Sequence, residues 1–162
     1  MRSVKFKIIF SSLHPPDLSK YILEPDGNFY YHFTTRKIYE DARCTCKSEG
    51  ASLPVVKDVE TQRFIDAKYG NEYFWLSATD SDGAGWKWEF ADGSKECMTG
   101  FTNWKLGEPN NPKEHCSITE RGIGWSDVDC KNRRLEFLCQ ILQPGSGKSK
   151  HEDKNWAWHG LS

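Results

Sequence analysis

Glu108, Asn110, Glu114 and Asp127 are four oxygen-bearing side chains set close together in the chain. Carboxylates and amide carbonyls are hard donors, the kind that Ca²⁺ gathers at about six to eight positions. The first three lie in Trp104-Lys105-Leu106-Gly107-Glu108-Pro109-Asn110-Asn111-Pro112-Lys113-Glu114-His115-Cys116, and the fourth in Trp125-Ser126-Asp127-Val128-Asp129-Cys130. Gly107 and the two prolines keep the first part out of regular structure, so its side chains can converge from a loop. A solvated polar loop has the same composition, and residue types alone leave both readings open.

Composition narrows the classes. With 162 residues, 37% hydrophobic and 28% charged, the chain has room for one domain with a core and tails. A net charge of −1 gives neither a nucleic-acid footprint nor a basic membrane patch. No run reaches the length of a transmembrane helix. Six cysteines point to an oxidising compartment. A zinc site is disfavoured, because Cys44 and Cys46 have only one residue between them and no second Cys/His pair stands at ligand spacing. Met1–Lys7 makes a basic start, but Ile8–Leu13 falls short of the roughly 7–15 apolar residues of a signal core. The expectation is an atypical signal or a missing true N-terminus.

The elements that must carry the loop can be read from pattern. Phe29–Phe33 is a strand, and turn chemistry precedes it. Thr34 or Thr35 caps a helix over about 37–49 that Gly50 ends. Tyr39, Ala42, Cys46 and Gly50 mark its buried face. Asp58 caps a second helix to about Tyr69, stopped by Gly70, with Phe64, Ile65 and Ala67 inward. Tyr73–Ala78 is a buried strand, and Gly85–Trp88 is a strand leading to a turn at Asp92-Gly93-Ser94. Ile123–Trp125 and Leu135–Leu142 are closing strands. Pro144–Lys150 has linker composition. His151–Ser162 is charged and carries Trp156-Ala157-Trp158, and it is expected to be a disordered tail. The layout is an N-terminal extension over 1–28, a domain over 29–142 and a flexible tail over 143–162.

The order Glu108-Pro109-Asn110, Glu114-x-Cys116, Trp125-x-Asp127-x-x-Cys130 resembles the long-loop calcium and sugar site of C-type lectin domains of the mannose-binding kind. Gly50-Ala51-Ser52-Leu53, Tyr73–Ala78 and Gly85–Trp88 are similar to further marks of that family. The resemblance implies an α+β fold of the C-type lectin kind, with two helices flanking two small antiparallel sheets and a long calcium-binding loop. It implies Ca²⁺ as cofactor, held by Glu108, Asn110, Glu114 and Asp127, with Pro109 cis. The sugar contacts would be Glu108, Asn110, Glu114, Ser126 and Asp127. They would take vicinal equatorial hydroxyls, as in mannose, N-acetylglucosamine and fucose. It also implies disulfides Cys46–Cys139 and Cys116–Cys130, a secreted protein, glycan or glycoprotein partners and a role in innate recognition. Oligomeric state stays open.

Two departures from the family pattern bear on strength. Ser126 stands where the family has a second amide ligand. For the accessory calcium site Asp80 is present, but Ala84, Asn111 and His115 replace favourable acids. One calcium site, weaker than the family norm, is therefore expected. Cys44 and Cys97 are left over. Cys44 lies about 200° round the helix from Cys46 and so faces away from the core. It pairs with Cys97, links to another chain or stays free, and the Cys44–Cys97 bridge is the favoured expectation. The competing class is a calcium-independent lectin-like module that binds a protein. An enzyme is not expected, because Cys116, the one thiol beside a histidine, is assigned to a disulfide.

Overall fold

The computed structural model describes residues 17–144. The linker and tail readings beyond Pro144, and the basic start at Met1–Lys7, lie outside the described residues.

Ten elements follow a short 3₁₀ turn at Leu18–Lys20: β1 Ile22–Leu23, β2 Phe29–Lys37, α1 Tyr39–Ser48, α2 Val59–Tyr69, β3 Tyr73–Thr79, β4 Lys87–Glu89, β5 Lys95–Cys97, β6 Cys116–Glu120, β7 Gly124–Val128 and β8 Leu135–Ile141. They form two antiparallel sheets, ordered β1-β2-β8 and β5-β4-β3-β6-β7. Residues 17–28 join this body: β1 pairs with β2, and Tyr21 is part of the core.

α1 forms where the sequence pattern placed a helix but starts later. β2 stays in its ladder with β8 as far as Lys37↔Leu135, so Thr34 and Thr35 lie in the strand and do not cap the helix. The cap is Ile38, which makes no side-chain bond. Glu40 and Asp41 in the first turn oppose the exposed amides electrostatically. Tyr39, Ala42 and Cys46 are buried, and the Cys46–Cys139 disulfide fastens α1 to β8.

α2 starts at Asp58, whose Oδ1 accepts the Thr61 N–H at 2.7 Å. Gly70 ends it, donating to Asp66 O. Its buried face differs from the expected one: Ala67 is exposed, while Thr61 and Gln62 are buried beside Ile65. Gln62 is drawn inward by a hydrogen bond, since its Oε1 accepts from Trp125 Nε1 at 2.7 Å. Its Nε2 donates to Asp66 Oδ1 at 2.8 Å. A polar side chain that satisfies a buried indole outranks an alanine for the inner position.

The strand and the turn at Asp92-Gly93-Ser94 are as expected, and the turn leads into a further strand, β5, that completes a hairpin; Asp92 Oδ1 accepts from the Ser94 N–H and hydroxyl. β6 lies inside the stretch read as loop; it is buried between β3 and β7. Ile123 is not in a strand: it sits on the turn between β6 and β7, 69% exposed.

An aromatic cluster stands under the long loop. The Trp125 ring meets Trp88 at 5.6 Å, Trp104 at 5.7 Å and Phe101 at 5.9 Å, each edge-on. Trp125 N–H donates to Asn103 O and its carbonyl accepts from Lys105 N–H, so the incoming loop runs parallel to β7 for one bridge. Gly124 permits this approach, because a Cβ there would come within 2.8 Å of Asn103 O.

Replacing Gln62 by Leu removes the acceptor of a fully buried indole N–H. It is expected to cost about 1–3 kcal/mol of unfolding free energy. Urea unfolding of the variant would check this, and an unchanged midpoint would mean that the indole finds another acceptor.

Candidate functional site

The site is built on the end of β7. Trp125, Ser126 and Asp127 are all buried, Asp127 to 5% exposure. Asp127 is fixed by the loop it faces. Its Oδ2 accepts the N–H of Asn111 at 2.9 Å and that of Asn110 at 3.2 Å, and its Oδ1 lies 3.1 Å from the Asn110 nitrogen. One carboxylate thus holds the crest of the loop against the sheet. The Asn110 side chain then donates from Nδ2 to Glu108 Oε1 at 2.9 Å. The Glu108–Pro109 peptide is cis. Cys116–Cys130 closes the ends of the loop and of β7 together, with Cα atoms 5.3 Å apart.

The second oxygen of Glu108 carries the chemistry. Oε2 is buried and has no donor among the described residues. The group beside it is the Asp127 carboxylate, which can share a proton with it but only repels it when both are ionised. This contact, then burial, then the negative charge of Asp127 push the Glu108 carboxyl up to about 7. Burial works against ionising Asp127 too, but the Glu108 contact and the Asn111 and Asn110 amides outweigh it and hold Asp127 below the usual carboxylate range. The two acids titrate as one dyad that holds a shared proton at mildly acid pH. A cation between them would relieve the same repulsion.

Glu108, Asn110 and Asp127 therefore meet. Glu114 does not join them: it is half-buried, its backbone N–H bonds Asn111 O, and its carboxylate has no partner among the described residues. Among those residues no three His, Cys, Asp or Glu side chains gather as a metal cluster. Ser126 Oγ is buried and has no partner among the described residues. The donors present are all hard oxygens, and an orphaned carboxylate oxygen faces a second carboxylate. That set fits an oxygen-seeking divalent ion such as Ca²⁺ and does not fit a soft one.

The accessory-site position is occupied by hydrogen bonds. Asp80 Oδ1 accepts the Gly85 N–H at 3.0 Å, and His115 Nδ1 lies 3.0 Å from Asp80 O. Sequence reasoning missed this His115 link and the Lys105–Glu120 ion pair under the loop. Neither has a local signal, since both join residues distant in sequence. Cys44 and Cys97 are exposed and unbonded, so the favoured bridge between them is not made. Cys44 lies on the outer face of α1 with its thiol 3.4 Å from Glu40 Oε1.

The model of the Lectin C-type domain matches residues 35–141, and the chain belongs to that family. It is 32% identical over 121 residues to hepatic lectin of Gallus gallus, covering 74% of this chain and 57% of that protein. The chain spans less than two thirds of the length of the curated relatives it matches. Among solved structures, the mouse scavenger receptor C-type lectin carbohydrate-recognition domain is 28% identical with a TM-score of 0.64, covering 78% of this chain and 98% of that one. A calcium-independent type II antifreeze protein shares the fold alone, at 18% identity and a TM-score of 0.65 over 78% of this chain and 94% of that one. The domain is of the lectin class and is not an enzyme. No helix among the described residues is long and apolar enough to cross a membrane.

The dyad makes a pH prediction for calcium-free protein. Glu108 is raised from 4.5 to about 7 in the fold, so the folded state binds the proton that the unfolded state releases. Stability should therefore fall as pH rises from about 4.5 towards 7, and stay low above it. Asp127, shifted the other way, acts only below its ordinary range. Melting temperatures from pH 5 to 8 in chelator should show the fall in wild type and lose it in Glu108→Gln. A slope unchanged in that variant would locate the titration elsewhere.

Proposed function

We propose that the domain is a calcium-dependent carbohydrate-binding module that takes vicinal equatorial hydroxyls of the mannose, N-acetylglucosamine and fucose kind. One observation carries the reading: the buried Glu108 Oε2, without a donor, set beside the Asp127 carboxylate. Such a pair is costly unless a proton or a cation lies between the groups. Glu108, Asn110 and Asp127 would hold the ion, with Glu114 closing in from the loop. The ion supplies a Lewis-acid centre that two sugar hydroxyls can join.

The chain's own residues provide orientation. Asn110 donates from its amide, and Glu108 accepts from the hydroxyl through its carboxylate, so one hydroxyl is read in both senses. The Asn110–Glu108 bond at 2.9 Å already places the two groups together. Glu114 accepts from the second hydroxyl, and Ser126 donates to it. The Glu-Pro-Asn order supports the equatorial preference through the family resemblance. The two disulfides support an oxidising, extracellular setting.

A second reading is a calcium-independent module that binds a protein. Ser126 in the amide position and the separate Glu114 favour it. Retention on immobilised mannose separates the two readings. With millimolar calcium the protein should be retained and then released by chelator, and calcium should raise its melting temperature. An ion at a hundredfold above its Kd contributes about 2.7 kcal/mol of stability. Equal behaviour in calcium and in chelator would favour the protein-binding reading.

Ser126→Asn tests the weak corner of the site. Serine falls about one carbon short of the amide's reach, and an amide adds a coordinating oxygen and a better donor. A hydrogen bond to a charged group contributes about 1.5–3 kcal/mol, so calcium affinity should rise roughly tenfold or more in calorimetry. An unchanged affinity would mean that position 126 does not face the ion.

A further inference from the structure

Lys105 sits where the long loop leaves the sheet, and both its backbone and its side chain are fastened there. Its N–H donates to Trp125 O at 2.9 Å, beside the parallel bridge to β7. Its carbonyl accepts the Glu108 N–H at 2.9 Å and so closes the turn 105–108. Gly107, third in that turn, has a φ of +86°, as a type II turn requires. The Lys105 stem lies against Gly124, where a Cβ would come within 3.1 Å of its Cγ. Its ammonium donates to Glu120 Oε2 at 2.5 Å. Glu120 is on β6 and is paired with Gly124 in the ladder. The lysine thus crosses β7 at a residue that has no side chain and reaches the next strand.

Glu108 hangs from this strap. Leu106, at the corner of the turn, is fully exposed. The Glu108 N–H finds its acceptor on Lys105. Its carboxylate is bonded at one oxygen by Asn110 and has no donor at the other among the described residues. The Lys105 and Glu120 side chains are 29% and 17% exposed, so the pair is partly shielded from solvent. Among the described residues it is the one ion pair that reaches the long loop. Asp127 fixes the crest of the loop at Asn110 and Asn111. The strap fixes its root, and Glu108 lies between the two.

We propose that Lys105 is a positioning residue for the ion site: clamped on Glu120, it fixes the turn that carries Glu108 and so holds the Glu108 carboxylate beside that of Asp127. This rests on the calcium reading above. Calcium needs its oxygens at about 2.3–2.6 Å. A loose turn would let Glu108 swing away from its like-charged neighbour whenever no ion holds the two together. A carboxylate held in place beforehand loses little freedom when the ion arrives, and affinity is higher for it. The sign of the effect separates positioning from plain charge. By Coulomb attraction alone, removing the Lys105 cation would strengthen calcium binding and removing the Glu120 anion would weaken it. The clamp predicts weakening in both cases.

Calorimetry on the full chain with calcium alone reads that sign. Lys105→Met and Glu120→Gln should each bind calcium about twofold to fivefold more weakly than wild type, the range of a partly exposed ion pair. The double variant should be no weaker than the singles, because the two side chains act as one contact. Lys105→Arg keeps the pair and should recover most of the affinity. Lys57→Met breaks an ion pair with Glu96 elsewhere on the domain and should change nothing. In calcium-free protein, amide exchange over 105–111 should quicken in Lys105→Met and not in Lys57→Met. Melting temperatures close to wild type would show that the turn, and not the domain, has loosened. Tighter calcium binding by Lys105→Met, full affinity in Glu120→Gln, or exchange over 105–111 equal to wild type would each overturn the clamp and leave the ion site standing. A wild type that binds no calcium would overturn both.

Discussion

The Asp127 carboxylate accepts two consecutive backbone amides, those of Asn110 and Asn111, and the rest of the site depends on that contact. The loop between Trp104 and Cys116 has no helix or strand to order it. It is held at three places: the parallel bridge to Trp125, the Asp127 carboxylate at its crest and the disulfide at its end. The Cys116–Cys130 bridge closes a segment of sequence separation 14 and contributes about 3 kcal/mol in the chain-entropy account. It does not choose the loop's conformation. Asp127 does, because moving it would leave two amides and one buried carboxylate without partners.

The aromatic cluster explains why Asp127 can bear this role. Trp125 is immobilised by Trp88, Trp104 and Phe101 and by the amide of Gln62. A strand residue flanked by so rigid a neighbour has little rotational freedom, so its carboxylate is pre-oriented. Placing Glu108 against it then costs electrostatic energy, and its raised pKa expresses that cost. Carboxylates shifted by a close neighbour and partial burial cluster at functional sites.

Much of this was legible from the residues. The Glu108-Pro109-Asn110 and Trp125-x-Asp127 pieces led to the family, the fold and the two disulfides present in the structure. Helix α2 announced its ends through Asp58 and Gly70. What escaped was set by distant partners. Thr34 and Thr35 are good caps in isolation, but they lie in the irregular stretch of β2 between its Phe33↔Phe137 and Lys37↔Leu135 pairs with β8. Ala67 suits an inner face by hydropathy, yet the indole of Trp125 draws Gln62 there instead. β6 was hidden because its residues sit inside a stretch dominated by loop chemistry. Cys44 and Cys97 were paired by arithmetic, and geometry leaves them apart.

A crystal grown or soaked in calcium addresses the central claim directly. The account predicts one ion about 2.3–2.6 Å from oxygens of Glu108, Asn110 and Asp127, with Glu114 drawn in to complete the set. No ion at saturating calcium, with Glu108 still set beside Asp127 and Glu114 still apart, would contradict it.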